Sequence, residues 1–364
     1  MNILILTTHV NTGGITSYIL TLGEGLVKKG HKVLVAASGG DCVSRFQDAG
    51  MRFVEINIRT KSEVHPKLLL AWGPLNRLVR EENINIIHAQ TRVTQVLGCV
   101  LGRACGVQMV TTCHGFFRPR WFRKTFPCWG QAVIAISQPV ARHLNQDLGQ
   151  DPKKIHLIAN GIDLDRFVVT QESKRLSLRQ KWNMGGKVIG IIARLSDVKG
   201  IDILIKAMPF VLKEIPTANL MIVGQGPQEA YLHRLTQELS LSAHVRFENI
   251  VNRTEELLPI FDVFIMPSLM EGLGLSVMEA QACGIPVVAS RVGGLVDLIE
   301  DGKSGYLVAS HDPAALADRI IEVLKNSDGA RVMAQEARSN IEHRFSAESM
   351  VNQTFKIYEQ YSRR

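Results

Sequence analysis

Short apolar runs rich in β-branched residues recur along the chain, separated by longer stretches in which apolar residues return every three or four positions. ILILTT, KVLVAAS, RFVEI, NIIHAQ, MVTTCHG and AVIAIS form a first series. Runs that are apolar at nearly every position, not at alternate ones, are buried on both faces, and their alternation with helices makes the sheet parallel. The pattern restarts after about residue 165 with VIGIIARL, NLMIVGQG, VRFENI, VFIMPS, PVVASR and GYLVAS. Ile201 to Glu214 and Ala314 to Leu324 carry the helical period between them, and a last helix is expected over Ala347 to Ser362.

Two such series without a low-complexity linker predict an α/β protein of two doubly wound, Rossmann-like domains facing each other across a cleft. Ligands of such sheets bind beyond the carboxyl ends of the strands. The expected division is 1–165 and 166–345, and the pattern alone leaves the helix at about 346–364 free to join either domain. A length of 364 residues agrees, because single cores rarely grow past about 250 to 300 residues.

Composition narrows the partners. Lys and Arg outnumber Asp and Glu by 42 to 34, a formal charge of +8 that favours anionic ligands or surfaces. No zinc-finger spacing, aromatic RNA-binding signature or long basic run accompanies it, so nucleic acid is not expected. The six cysteines are scattered without a CxxC pair and read as reduced core residues. MNILILTTHV has no basic leader region and reads as a first strand, and charges such as Arg103 break the apolar stretches, so a cytoplasmic protein is expected. FFRPRWFRKTFPCW sets Arg118, Arg120, Arg123 and Lys124 among aromatics such as Trp121, with no acid. That mixture suits an anionic bilayer and would place the protein peripherally on the inner face of the cytoplasmic membrane; a solvated loop over a few core aromatics is the plainer alternative.

The segment richest in chemistry is PSLMEGLGLSVMEAQACGIPVVASRVGG, where a strand gives way to a glycine-bearing loop and a helix opens near Leu275. Glycines let backbone amides approach a ligand, and a helix start presents free N–H groups and a positive dipole end to a diphosphate. Carboxylates beside an anion site, here Glu271 and Glu279, suit the vicinal hydroxyls of a ribose or sugar. An acid at a helix start and a solvated loop acid would look the same in isolation. Arg194 ends another strand and Lys199 follows five residues on, which supplies a guanidinium fork and an ammonium point charge for phosphate. Asp163 and Asp165 form a D-x-D string that elsewhere binds a metal; with Arg and Lys supplying positive charge, no metal or other cofactor is expected.

ARLSDVKG, VGQGP, PSLMEGLGLSVMEAQACGIPVVAS and SGYLV, together with ANGID, resemble the retaining GT-B glycosyltransferase family 4, and the resemblance spans nearly the whole chain. It implies the GT-B fold, with the last helix returning to the first domain. It also implies transfer of a sugar from a nucleoside diphosphate-sugar, of UDP or GDP type, to a glycan or lipid-linked acceptor in cell-surface polysaccharide or lipopolysaccharide synthesis. By resemblance Arg194 and Lys199 bind the diphosphate, Glu279 holds the ribose, and Glu271 contacts the transferred sugar. The surroundings of Gly274 and Leu275 touch sugar or phosphate, with Gly224 of VGQGP also on the donor side.

In the first domain, Gly13 and Gly14 follow the first strand and open a helix. The resemblance gives Gly14 to the donor and Gly13 to the acceptor, matches His114 to a histidine that contacts the donor sugar, and sets His88 on the acceptor side. Relatives often carry a further histidine where this chain has Gln90. Retention needs no protein nucleophile if the acceptor hydroxyl attacks on the face the diphosphate leaves; Glu271 is the one candidate for a double displacement. A sugar-nucleotide epimerase or phosphorylase of the same plan, or a non-catalytic sugar-nucleotide-binding module, would share these residues.

Overall fold

The computed structural model describes residues 1–60, 62–63, 65–118, 125–251 and 253–362. In the first strand, β1 (Asn2–Leu6), Ile3, Leu4, Ile5 and Leu6 are all fully buried, as both-face burial requires. Around it pair β2 (Lys32–Ala37), β3 (Arg52–Glu55), β4 (Ile86–Ala89), β5 (Gln108–Cys113), β6 (Ala132–Ala135) and β7 (Ile155–Leu157), all parallel, in the order β3-β2-β1-β4-β5-β6-β7. β7 is the strand the sequence pattern omits. It is short and half-buried at the sheet edge, so it carries no continuous apolar run.

A second parallel sheet holds β8 (Lys187–Ile192), β9 (Ala218–Val223), β10 (Val245–Glu248), β11 (Val263–Met266), β12 (Val287–Ser290) and β13 (Tyr306–Val308), in the order β10-β9-β8-β11-β12-β13. Both orders reverse once, between β1 and β4 and between β8 and β11, as in doubly wound dinucleotide folds. The helices predicted between strands form at Ile201–Glu214 and Pro313–Lys325.

The chain divides into two units at Gly161 and Ile162, and the final helix Ala347–Ser362 belongs to the first. Its Met350, Val351, Ile357 and Tyr358 join the core formed by Tyr18, Ile19, Leu22 and Leu26 of the helix Gly14–Lys28. Apolar burial therefore assigns a helix that the sequence pattern left open. Ile162 opens the second unit and donates its N–H to the Phe345 carbonyl at 2.8 Å. All six cysteines are free thiols, with Cys42, Cys113 and Cys283 buried.

A polar chain runs through the first core. The Tyr358 hydroxyl meets His88 Nδ1 at 2.6 Å, His88 Nε2 meets Thr112 Oγ1 at 2.7 Å, and Thr112 Oγ1 meets the Tyr18 hydroxyl at 3.1 Å. Burial, and second to it the neighbouring His114 imidazole, whose protonation would compete with that of His88, pushes the His88 imidazole down to about 3. The ring is thus neutral, accepting from the tyrosine at Nδ1 and donating at Nε2.

Two outcomes are expected. Tyr358→Phe strands His88 Nδ1 without a donor and should lower the unfolding free energy in urea by about 1 to 3 kcal/mol. Acid should act through the same ring. An unfolded histidine takes a proton near 6.5 and the folded one only near 3, so His88 contributes full stability above about pH 6.5 and loses it as pH falls toward 3. The urea stability of His88→Gln, followed over that window, should fall less steeply than that of the parent by roughly 1.4 kcal/mol per pH unit; equal slopes would contradict the assignment.

Candidate active site

In the second unit the sequence-predicted residues gather at the strand-order reversal. The chain leaves β8 through Ala193 and Arg194 and makes one tight turn, Asp197–Lys199, before the helix Ile201–Glu214. It leaves β11 through Pro267 and Ser268 into the Glu271 loop. Leu269 N–H donates to the Val198 carbonyl at 2.8 Å, which ties the two loops together. Gly200, at φ 61, lies so close to Pro267 that a Cβ would stand 2.1 Å from its carbonyl oxygen. Only glycine permits that approach.

These loops bring Lys199 Nζ to 2.5 Å from Glu271 Oε2, and Ser268 Oγ donates to the same oxygen at 3.2 Å. Both partners are largely shielded, with side-chain exposures of 21% and 13%, so the pair is screened less than a surface bridge. Glu271 is fixed from behind as well: its carbonyl accepts the Gly294 N–H at 3.0 Å, and a Cβ on Gly293 (φ 50) would fall 1.9 Å from that oxygen. Arg194 is exposed, and among the described residues its guanidinium has no hydrogen-bond or ion-pair partner.

The helix Leu275–Ala282 begins at Gly274 (φ 105) with no side chain capping it, which leaves its first amides available to an anion. Glu279 lies one turn further on and accepts from Thr254 Oγ1 at 3.1 Å. Arg166, paired with Glu255 at 2.7 Å, adds a positive field at Glu279. Gly224 follows β9 and donates its N–H to the Glu248 carbonyl at 2.9 Å, in the strand-end layer next to β8.

The first unit holds the other predicted residues. Gly13 and Gly14 are exposed, and the helix Gly14–Lys28 starts at Gly14, with the Gly13 carbonyl accepting from Ser17 N–H at 2.9 Å. His114 follows β5; its Nε2 meets Gln90 Oε1 at 2.8 Å, and the ring stands edge-on to Tyr18 with centroids 4.9 Å apart. Burial pushes its imidazole down to about 3. A neutral ring bonded to an amide oxygen carries its proton on Nε2, which leaves Nδ1 as an acceptor but a poor base at neutral pH.

His88 does not fit the acceptor role that resemblance gave it. It is wholly buried, and Thr112 and Tyr358 occupy both its ring nitrogens. Glu271 also differs from expectation in its immediate partner, since its carboxylate holds Lys199. Asp163 of the D-x-D string accepts from the amides of Asp165 and Arg166 at 3.0 and 3.2 Å, a local turn bond typical of Asp. Among the described residues no group of three or more His, Cys, Asp or Glu clusters at metal-binding distance.

Of the predicted bilayer segment, Arg118 is exposed, while Arg120, Trp121, Arg123 and Lys124 lie outside the described residues. Among the described residues no helix is long and apolar enough to cross a membrane. Sequence reading missed Ser268, Thr254, Arg166 and Tyr18. Ser268 and Tyr18 stand within a turn of the glycine-bearing loops, a usable signal; Thr254 and Arg166 reach Glu279 only through the fold.

Comparison with known proteins agrees with this geometry. The family model described as Glycosyltransferase Family 4 matches residues 12–166, and that described as Glycosyl transferases group 1 matches residues 173–340. D-inositol 3-phosphate glycosyltransferase of Corynebacterium jeikeium is 36% identical over 395 residues, covering 96% of this chain and 92% of the relative. GDP-mannose-dependent alpha-(1-6)-phosphatidylinositol monomannoside mannosyltransferase of Mycolicibacterium smegmatis is 27% identical, covering 90% and 89%. The crystal structure of Anabaena HepE in complex with UDP and glucose has the same fold, with a TM-score of 0.88 at 22% identity over 99% of this chain and 100% of that one. With strand orders, loops and sequence in agreement, the chain belongs to the family 4 glycosyltransferases of glycosyl transferases group 1, with the GT-B fold.

Proposed function

We propose that this glycosyltransferase is a retaining, metal-independent enzyme that takes a hexosyl or related sugar from a UDP- or GDP-sugar. The observation that carries the reading is the Lys199–Glu271 pair at the β8/β11 reversal, beside the exposed Arg194 and the uncapped start of the Leu275–Ala282 helix. Cations and free backbone amides are the groups a diphosphate requires. Arg194 and Lys199 stabilise the charge that builds on the leaving diphosphate. Glu279, set one turn into the helix, accepts from ribose hydroxyls, and Glu271 orients Lys199 and the sugar. HepE is described with UDP and glucose, and the mycobacterial relative is named for GDP-mannose, which supports a donor of either type.

Retention follows if the acceptor hydroxyl attacks from the side the diphosphate leaves. The Glu271 carboxylate, engaged by Lys199 and Ser268, is not disposed to act as a covalent nucleophile. His114 then serves as a hydrogen-bonding partner of the sugar through Nδ1, not as a general base. We assign the acceptor to the glycan or lipid-linked class, used at an anionic membrane face in cell-surface polysaccharide or lipopolysaccharide synthesis. Neither an epimerase nor a non-catalytic module has an observation in its favour.

The test starts with titration of UDP and GDP, followed by donor hydrolysis with the sugar-nucleotides of the base that binds. Lys199→Ala and Glu279→Gln should each reduce donor kcat/KM tenfold or more, a loss of about 1.4 kcal/mol or more. For Glu279→Gln the loss should fall chiefly on the donor KM. Unchanged donor kinetics in both variants would refute the site, and a product of inverted anomeric configuration by NMR would refute retention.

A further inference from the structure

We infer that the outer face of the helix Pro66–Glu81, with the adjoining Phe126 turn, is a docking surface for an anionic lipid bilayer. The inner face of this helix is already used: Leu68, Ala71, Leu75, Leu78 and Val79 pack in the core with Val93, Leu97 and Leu101 of the helix Arg92–Cys105. A helix advances about 100° per residue, so Pro66, Leu69, Leu70, Gly73, Pro74 and Arg77 share the opposite face. Leu69 and Leu70 are 80% and 78% exposed, and Trp72 on the flank is 39% exposed. Isolated exposed leucines are ordinary, but two adjacent ones beside a tryptophan, on a face whose other members are Pro66, Gly73, Pro74 and Arg77, form a patch that water does not favour.

A second observation extends the patch. The buried Arg92 guanidinium donates to the carbonyls of Pro127 and Phe126 at 2.5 and 2.7 Å, and its Nε stands 3.1 Å from Glu63 Oε2. Glu63 lies three residues before the helix starts at Pro66, so Arg92 ties the Phe126 turn to the segment that leads into the helix. The Phe126 ring is 53% exposed there.

Charge selects the occupant. On the helix itself exposed Arg77 and half-buried Lys67 flank these residues, exposed Arg59 and Arg118 lie in the segments that lead into the helix and into the Phe126 turn, and Glu63 is neutralised by Arg92. Glu81 stands roughly 18 Å along the helix from Leu69. Apolar side chains flanked by cations match the boundary between acyl chains and anionic head groups. A protein partner would leave these cations without a stated counterpart.

The surface gives the membrane reading of the acceptor a location and rests on that reading for its purpose, but it is tested without donor or acceptor. The full-length protein is sedimented with vesicles of phosphatidylcholine plus phosphatidylglycerol and with vesicles of phosphatidylcholine alone. It should pellet with the mixed vesicles and far less with the neutral ones, and added salt should release it. The double variant Leu69→Gln/Leu70→Gln should bind the mixed vesicles about tenfold less. Its circular dichroism and nucleotide binding should match the parent, since both leucines project into solvent. Binding unaffected by the double variant, equal binding to neutral vesicles, or no binding would overturn the proposal. So would concentration-dependent self-association abolished by the same variant without vesicle binding, which would make the face a contact between copies.

Discussion

A doubly wound sheet must reverse its strand order once, and at that reversal the chain leaves neighbouring strands toward opposite faces. In the second unit the reversal lies between β8 and β11, so the loops after them diverge and their following helices start from the same edge. The Lys199–Glu271 pair bridges that divergence, and the Leu269-to-Val198 hydrogen bond holds its two loops in register. The positions of Arg194, the Gly274 helix start and Glu279 follow from those two loops. Glycine at 200 and 293 is the condition for it, since any side chain there would meet the backbone of the partner loop.

The order of strands and helices was legible because it rests on local periodicity. β1 announces itself by being apolar at nearly every position, and the last helix by its spacing. β7 was not legible, because an edge strand of three residues, two half-buried and one exposed, has no pattern of its own. The site shows the same divide. Glu271, Gly274 and Glu279 occupy one short segment and can be read together, whereas the contact of Lys199 with Glu271 joins residues 72 apart in sequence and exists only once the sheet is built. Resemblance carried His88 to the acceptor although it is a core residue. A strand-end histidine looks the same whether its ring turns toward solvent or toward Tyr358, and the decision lies in a helix 270 residues later.

Two buried polar groups in the first unit show how interior chemistry sets exterior surface. His88 stays neutral and joins the final helix to β4 and β5 through Tyr358 and Thr112. Arg92 stays charged, which the interior tolerates only because Glu63 and two carbonyls receive it. A neutral residue there would leave the Phe126 turn and the entrance to the Pro66–Glu81 helix unconnected. The arginine therefore fixes which apolar groups lie side by side at the surface, although it is itself buried.

In the proposed site a carboxylate would seem out of place, since Glu271 would repel the diphosphate that Lys199 is proposed to attract. The geometry resolves this. A lysine stem is flexible, and ordering it on binding costs rotamer entropy that the bound phosphate must offset. Glu271 and Ser268 impose that order beforehand, at the expense of a pair whose attraction must be shared when the donor arrives. Arg194 carries no such restraint and stays exposed. In the proposed function the two cations thereby differ: Lys199 is placed in advance by Glu271 and Ser268, while Arg194 stands exposed without a side-chain partner among the described residues. That difference explains why the acid is set against the lysine and not the arginine.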